Sequence, residues 1–132
     1  MLILSKLFSV KFIFIFLILI AMSSCYQNKR NCDDFKTGTY KAEVKIQDRL
    51  YTSTFKRTET LQIETYEGKI DSSEVRWIND CEVVFKTINP KSRIEKKNIH
   101  LKILSTTDSS YTYEYSYLGE TKKQKGTAIK LE

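Results

Sequence analysis

The chain has 132 residues and a formal net charge of +6, and 41% of its residues are hydrophobic. A chain of this length forms one small domain at most. With one proline, four glycines and 29% charged residues, the composition excludes collagen-like, low-complexity and multi-span membrane proteins.

The N-terminal residues have the layout of an export signal. Lys6 and Lys11 precede residues 12–22, an unbroken apolar run that two serines follow. A short apolar segment between basic and small residues is typical of a secretory signal peptide. A spanning helix needs about 20 apolar residues, so an uncleaved N-terminal anchor is the less favoured alternative. We therefore predict a signal peptide over residues 1–24.

Cys25 directly follows the two serines. The sequence Met22-Ser23-Ser24-Cys25 resembles the lipobox of bacterial lipoproteins, in which an apolar residue and two small residues precede a cysteine that is acylated on sulfur. The resemblance implies lipidation of Cys25, with palmitate or similar acyl chains as the membrane anchor. Two or three such chains anchor a protein stably, since each buried CH₂ contributes about 0.8 kcal/mol.

The chain has three cysteines, so assigning Cys25 to the lipid leaves Cys32 and Cys81. An even number in an exported chain predicts a disulfide. A metal site needs more thiolate or imidazole ligands than these cysteines and one histidine supply, so neither a metal nor another cofactor is expected. The bridge would close a loop of about 50 residues, worth about 4 kcal/mol in the chain-entropy model. It divides the mature chain into a short tether, residues 25–31, and a single domain, residues 32–132.

The mature chain shows frequent alternation of apolar and polar residues and no helical pattern of useful length. The alternation predicts an all-β fold, an antiparallel meander of about eight strands that forms a small barrel or a strongly curved sheet. The second strand is polar and Thr-rich, and we expect it to be exposed. In the third strand, Leu61 and Ile63 alternate with Gln62 and Glu64. The expected strands cover residues 35–47, 49–57, 61–66, 74–78, 81–88, 99–103, 111–118 and 126–131.

The turn that follows Trp77 can be examined for register. A two-residue loop would mix apolar and polar side chains on each face of the hairpin. A three-residue loop, residues 78–80, separates them and pairs Trp77 with Cys81 and Val75 with Val83. We therefore expect the three-residue loop, with Cys81 beside Trp77 in the core.

Tyr111, Tyr113, Tyr115 and Tyr117 alternate with polar residues along the seventh strand. On an inner face these tyrosines would fill a barrel, whereas on an outer face they would form an aromatic platform for a glycan or a protein. The polar residues between them favour the inner position. We expect a filled interior with the tyrosine hydroxyls at its rim, and the four tyrosines are the candidate ligand or interaction face.

No catalytic motif accompanies His100, the only histidine, and we expect an exposed strand histidine in a protein that is not an enzyme. Basic residues cluster at 91–97 and 122–125. Solvated loops are the favoured interpretation, and contact with anionic lipid or polysaccharide headgroups is the alternative. No nucleic acid is expected as a partner, because an exported chain does not meet it.

Residues 32–40, 75–81, 99–103 and 126–130 look like the corresponding parts of small exported bacterial lipoproteins of unknown function. This resemblance implies a cell-envelope protein that is held to a membrane by its lipid and faces the periplasm or the cell surface. Gly38-Thr39-Tyr40 is also similar to the Gly-x-Trp motif of lipocalin-like barrels, with tyrosine in place of tryptophan.

Two functions are compatible with these features. The leading hypothesis is a non-enzymatic binding or interaction module at the membrane surface, with an envelope protein or a glycan as partner. The alternative is a lipocalin-like carrier of a small apolar ligand. Interior volume discriminates between them, because a carrier needs a pocket of about 300 Å³ or more.

Overall fold

The computed structural model describes residues 2–21 and 29–132, and at residues 8 and 19–21 the backbone alone. An N-terminal helix, α1, spans Leu2–Ala21, and its described large apolar side chains are 55% to 79% exposed. None of the helices in residues 2–21 and 29–132 combines the length and hydropathy of a membrane-spanning segment. The predicted lipidation residue Cys25 and the predicted cleavage site before it lie outside the described residues.

Residues 38–130 form an all-β closed barrel, as the alternation predicts. Eight antiparallel strands follow one another around the barrel in chain order, and the last strand pairs with the first. Closure leaves no unpaired strand edge on the barrel. A short 3₁₀ helix, Cys32–Phe35, precedes the strands β1 (Gly38–Ile46), β2 (Arg49–Arg57), β3 (Leu61–Tyr66), β4 (Lys69–Asn79), β5 (Glu82–Thr87), β6 (Ile99–Thr106), β7 (Ser110–Tyr117) and β8 (Gln124–Lys130).

The strands β2 and β3 present faces that composition alone does not predict. The expectation of an exposed β2 is wrong at Phe55 and Arg57, which are buried. In β3 the alternation is present, but Gln62 and Glu64 face the interior while Ile63 is 40% exposed. Phe55 pairs with Glu64, and Arg57 pairs with Gln62. Directly paired residues share a face of the sheet. Because Phe55 and Arg57 point inward, their partners Glu64 and Gln62 point inward as well.

The predicted three-residue loop between β4 and β5 is wrong. Asn79 pairs with Glu82, so the loop has two residues, and β4 carries a bulge between Trp77 and Asn79. The bulge adds one residue to one strand and restores the separation of the two faces. Trp77 therefore lies opposite Val83. Cys81 lies in the turn, where its backbone N–H donates to Asn79 Oδ1 at 3.0 Å.

The predicted disulfide between Cys32 and Cys81 is confirmed. It joins the 3₁₀ helix to the turn between β4 and β5, and the two Cα atoms lie 5.3 Å apart. Cys32 is buried, and Cys81 packs partly buried against the same hydrophobic core. The bridge therefore holds the beginning of the domain against one end of the barrel.

Candidate functional site

The barrel has two different ends, because successive connections in an antiparallel meander alternate between them. The closed end carries the 3₁₀ helix and the turns β2–β3, β4–β5 and β6–β7. The open end carries the connections β1–β2, β3–β4, β5–β6 and β7–β8. These two names are used below for the two ends.

Aromatic side chains fill the closed end. Phe35, from the 3₁₀ helix, is 1% exposed, and its ring centre lies 5.3 Å from that of Tyr111. The Tyr40 ring stacks on Phe55 at 4.9 Å between centres, and the Tyr40 hydroxyl donates to the Thr37 carbonyl oxygen at 2.7 Å. Rings at these separations form favourable offset and edge contacts. They make a solid floor beneath the barrel interior.

Gly38 begins the motif that is similar to Gly-x-Trp, and it too belongs to the floor. Its φ is +129°, a backbone conformation that favours glycine. A Cβ atom at Gly38 would lie 2.7 Å from the Glu132 carbonyl oxygen. The glycine therefore allows β1 to begin beside the last residues of the chain, with Tyr40 directed into the floor.

Arg57 is a buried cation in this floor. Its Nε donates to Gln62 Oε1 at 2.7 Å, and its two Nη atoms donate at 3.2 Å to the Phe35 carbonyl oxygen and the Tyr111 hydroxyl. No carboxylate pairs with Arg57 among the described residues. The electron-rich faces of four rings surround the guanidinium and stabilise its charge. Its central carbon lies 4.9 to 5.8 Å from the ring centres of Phe55, Phe85, Trp77 and Tyr40.

Above the floor the barrel is hollow, with a cavity of about 490 Å³ that extends to the open end. The expected filled interior is therefore wrong. Phe85 is buried in the floor and Trp77 packs partly buried against it, while tyrosines and smaller side chains line the walls above them. The apolar wall consists of Ala42, Val44, Ile46, Ile99 and Leu101, and the polar wall of Ser53, Gln62, Glu64, Asp71 and Ser73.

All four predicted tyrosines line this cavity, which confirms their inward direction. Tyr111 and Tyr113 are buried, whereas Tyr115 and Tyr117 are half-buried nearer the open end. Burial raises the pKa values of Tyr111, Tyr113 and Tyr115, so these hydroxyls remain protonated at neutral pH. The expected position of all hydroxyls at the rim is wrong for Tyr111, which bonds to the floor arginine.

Tyr113 occupies its position because its cross-strand partner is Gly126. A Cβ atom at Gly126 would lie 2.6 Å from Cζ of the Tyr113 ring and 2.9 Å from Val44 Cγ2. Real Cβ atoms do not approach other atoms so closely, so glycine lets the ring lie flat along the cavity wall. This contact helps to keep the interior open.

Glu64 is the acidic group of the polar wall. Ser53 Oγ donates to its Oε2 at a long 3.5 Å, and no Lys, Arg or His forms an ion pair with it in the described part of the chain. Burial, and then the charge of Asp71, raises the pKa of the Glu64 carboxyl. A poorly compensated carboxyl group beside a cavity can accept a hydrogen bond from a ligand or pair with a ligand cation.

Sequence reasoning missed Arg57 and Glu64 as site residues, because polar residues in an alternating strand normally face water. His100 is half-buried at a position outside the cavity lining, with Nε2 3.2 Å from Glu82 Oε1. Across residues 2–21 and 29–132, no group of three or more His, Cys, Asp or Glu side chains is placed to hold a metal ion.

Comparison with known proteins identifies no relative of this chain. No family model, no curated protein and no solved structure matches it. The functional argument therefore depends on the chemistry of the barrel itself.

Proposed function

We propose that this protein is a non-enzymatic, lipid-anchored carrier of the cell envelope that holds a small amphipathic molecule inside its barrel. The cavity of about 490 Å³ is the observation that carries this proposal. Pockets for small molecules commonly begin at about 300 Å³ and combine apolar walls with a few polar groups. The carrier is therefore preferred to an interaction module with a solid barrel.

The two walls define the chemistry of the ligand. Its apolar body would lie against Val44, Ile99 and the tyrosine rings, all of which line the cavity. Glu64 and Ser53 face it from the polar wall, so the polar end of the ligand carries a hydrogen-bond donor such as an amine or a hydroxyl. A protonated amine would gain both the Glu64 carboxylate and the electron-rich tyrosine faces.

The envelope location is supported by three features of the chain. Cys25 follows a short apolar segment and two serines, the arrangement of an acylation site. The exposed apolar side chains of α1 require an apolar environment or removal with the signal peptide. The disulfide favours an oxidising compartment. We therefore propose that residues 1–24 are removed and that acylated Cys25 anchors the protein, which faces the periplasm or the cell surface.

A matched pair of substitutions on β2 tests the carrier. Ser53 lines the cavity, and the next residue, Thr54, is exposed and absent from the cavity lining. Ser53→Phe places a ring inside the cavity and is expected to weaken binding of a neutral apolar dye, N-phenyl-1-naphthylamine, measured by its fluorescence. Thr54→Phe adds the same ring outside the cavity and is expected to keep binding. Equal binding by both variants, or no binding by the parent protein, would contradict the carrier.

The anchor is tested separately by metabolic labelling with a radioactive fatty acid. The parent protein is expected to incorporate the label and Cys25→Ala to lose it, because only the Cys25 sulfur accepts the acyl chains in this proposal. Both proteins contain the Cys32–Cys81 disulfide, so the core is unchanged. Equal label in the two proteins would remove the lipid anchor and leave the cavity argument intact.

A further inference from the structure

The open end of the barrel presents apolar side chains to solvent. Its rim, called the open rim below, consists of residues 45–50, 66–70, 88–98 and 118–123, which are the four connections and the adjoining strand ends. Five aliphatic side chains of the open rim are 38% to 66% exposed. They come from all four connections and therefore surround the cavity mouth. These side chains are Leu50, Ile70, Ile88, Ile94 and Leu118.

The open rim is also the basic end of the molecule. It contains nine lysines and arginines and four acidic residues, whereas the connections of the closed end contain three basic and seven acidic residues. The two basic clusters of the sequence, which are separated along the chain, meet here. The closed-end segments in this comparison are residues 29–37, 58–60, 79–82, 107–109 and 131–132.

Several of the basic side chains of the open rim form no ion pair within the described part of the chain. Lys97 pairs with Glu120 at 3.0 Å, and Lys69 lies 3.6 Å from Glu95. Five other basic residues are exposed and form no ion pair with any described residue. These five are Arg49, Lys91, Arg93, Lys96 and Lys122.

We propose that the open rim is a docking surface for an anionic lipid membrane. Exposed aliphatic side chains between lysines and arginines are the pattern by which proteins insert shallowly into a headgroup layer. Protein interfaces, by contrast, are depleted in lysine and enriched in aromatic side chains, and the exposed large apolar side chains of the open rim are all aliphatic. Docking there would seal the cavity mouth against lipid, so an apolar ligand could pass without crossing water.

The position of the tether determines which membrane the open rim meets. Arg30 Nη1 donates to the Ile103 carbonyl oxygen at 2.8 Å, and the Asn31 backbone N–H donates to Thr106 Oγ1 at 2.9 Å. Both contacts fix the incoming chain near the closed end. Only four residue steps separate Cys25 from Lys29, a reach of at most about 14 Å.

The barrel is longer than this reach. The nine residues of β1 extend about 26 Å, or about 20 Å along the axis of a barrel with tilted strands. The open rim therefore points away from the membrane that holds the anchor and docks on a second one. This orientation rests on the proposed Cys25 anchor, whereas the docking chemistry of the open rim does not.

A bridging assay tests docking with the complete protein. The acylated protein, incorporated by its Cys25 lipid into fluorescent phosphatidylcholine vesicles, is mixed with heavier vesicles of phosphatidylcholine alone or with phosphatidylglycerol, and co-sedimentation of the fluorescence is measured. A rim variant with Lys91→Glu, Arg93→Glu and Lys96→Glu reverses three positive charges of the open rim. Lys56→Glu combined with Arg76→Glu and Lys86→Glu makes the same net change at exposed wall positions that form no ion pair with the described residues.

The parent protein and the wall variant are expected to bridge to vesicles with phosphatidylglycerol, and less so at high salt. The rim variant is expected to lose about a hundredfold in affinity, since each basic residue near an anionic surface contributes about fivefold. No bridging by the parent, or equal bridging by the two variants, would overturn the docking surface. If the chain does not stay with the first vesicles, the anchor fails, and direct sedimentation of the same proteins with the anionic vesicles still decides whether the rim docks.

Discussion

The closed end and the open end of this barrel consist of the same eight strands but differ in how tightly their side chains pack. At the closed end Phe35, Tyr40 and Arg57 are at most 2% exposed, and a disulfide joins the 3₁₀ helix to the turn between β4 and β5. At the open end Tyr117 is half-buried, Glu64 lacks a described ion-pair partner, and the walls enclose empty space. Packing that is concentrated at one end stabilises the fold, so the other end can keep a hollow and poorly compensated interior. The difference predicts where substitutions will affect stability and where they will affect binding.

The largest effect on stability is expected from removing the disulfide with Cys32→Ser and Cys81→Ser. The bridge spans 49 residues of sequence, and its loss is expected to lower the free energy of unfolding by about 4 kcal/mol. Urea unfolding followed by Trp77 fluorescence measures the change, because Trp77 is the only tryptophan and packs against the floor. A loss below about 1 kcal/mol would show that the bridge is not a main support of the closed end.

Phe35→Ala tests the floor itself. The substitution is expected to cost about 3 kcal/mol, the low end of the range for a buried phenylalanine, since the cavity above gives the neighbouring rings room to relax. Tyr117→Ala at the half-buried open end is the matched control and is expected to cost less than about 1 kcal/mol. Denaturation of the two variants under the same conditions gives the comparison. Equal losses would contradict the separation of the two ends.

Gly126→Ala is expected to change binding more than stability. The new methyl group would collide with the Tyr113 ring, which must move into the cavity, at a cost of about 1 to 2 kcal/mol from overpacking. Titration with the apolar dye should then show weaker binding by a protein that still unfolds cooperatively. Unchanged dye affinity would mean that the space beside Tyr113 is not part of the ligand site.

The smallest effect concerns Glu64 and pH. Because burial raises the pKa of its carboxyl in the folded protein, folding favours the protonated form, and this contribution to stability is lost as pH rises from about 4 through the raised pKa. Glu64→Gln should therefore be more stable than the parent at pH 7, by about 0.5 kcal/mol, and should lose the advantage in acid. Unfolding at a series of pH values measures the difference. A variant that is less stable at pH 7 would show that the carboxylate is well compensated.

Several features of the barrel could be predicted from sequence because they depend on local pattern or simple counting. Alternation predicts the eight strands, with the bounds of β2 as observed. Cysteine number leaves Cys32 and Cys81 as the disulfide pair once Cys25 is assigned to the lipid. The polar residues between the β7 tyrosines predict that all four point inward, as they do. Each inference needs only the chemistry of neighbouring residues.

Other features are decided by tertiary structure. Alternation separates two faces of β3 but does not say which one is inside, and pairing with Phe55 and Arg57 turns Gln62 and Glu64 inward. The bulge before Asn79 changes a loop length that pattern alone cannot define, because a two-residue loop also keeps the two faces separate once a bulge adds one residue. Whether the barrel is solid or hollow depends on the total side-chain volume at each level of a closed interior. That sum requires the register of all eight strands at once. Residue pattern is therefore enough to predict the barrel wall, whereas the cavity follows only from the packing of the closed structure.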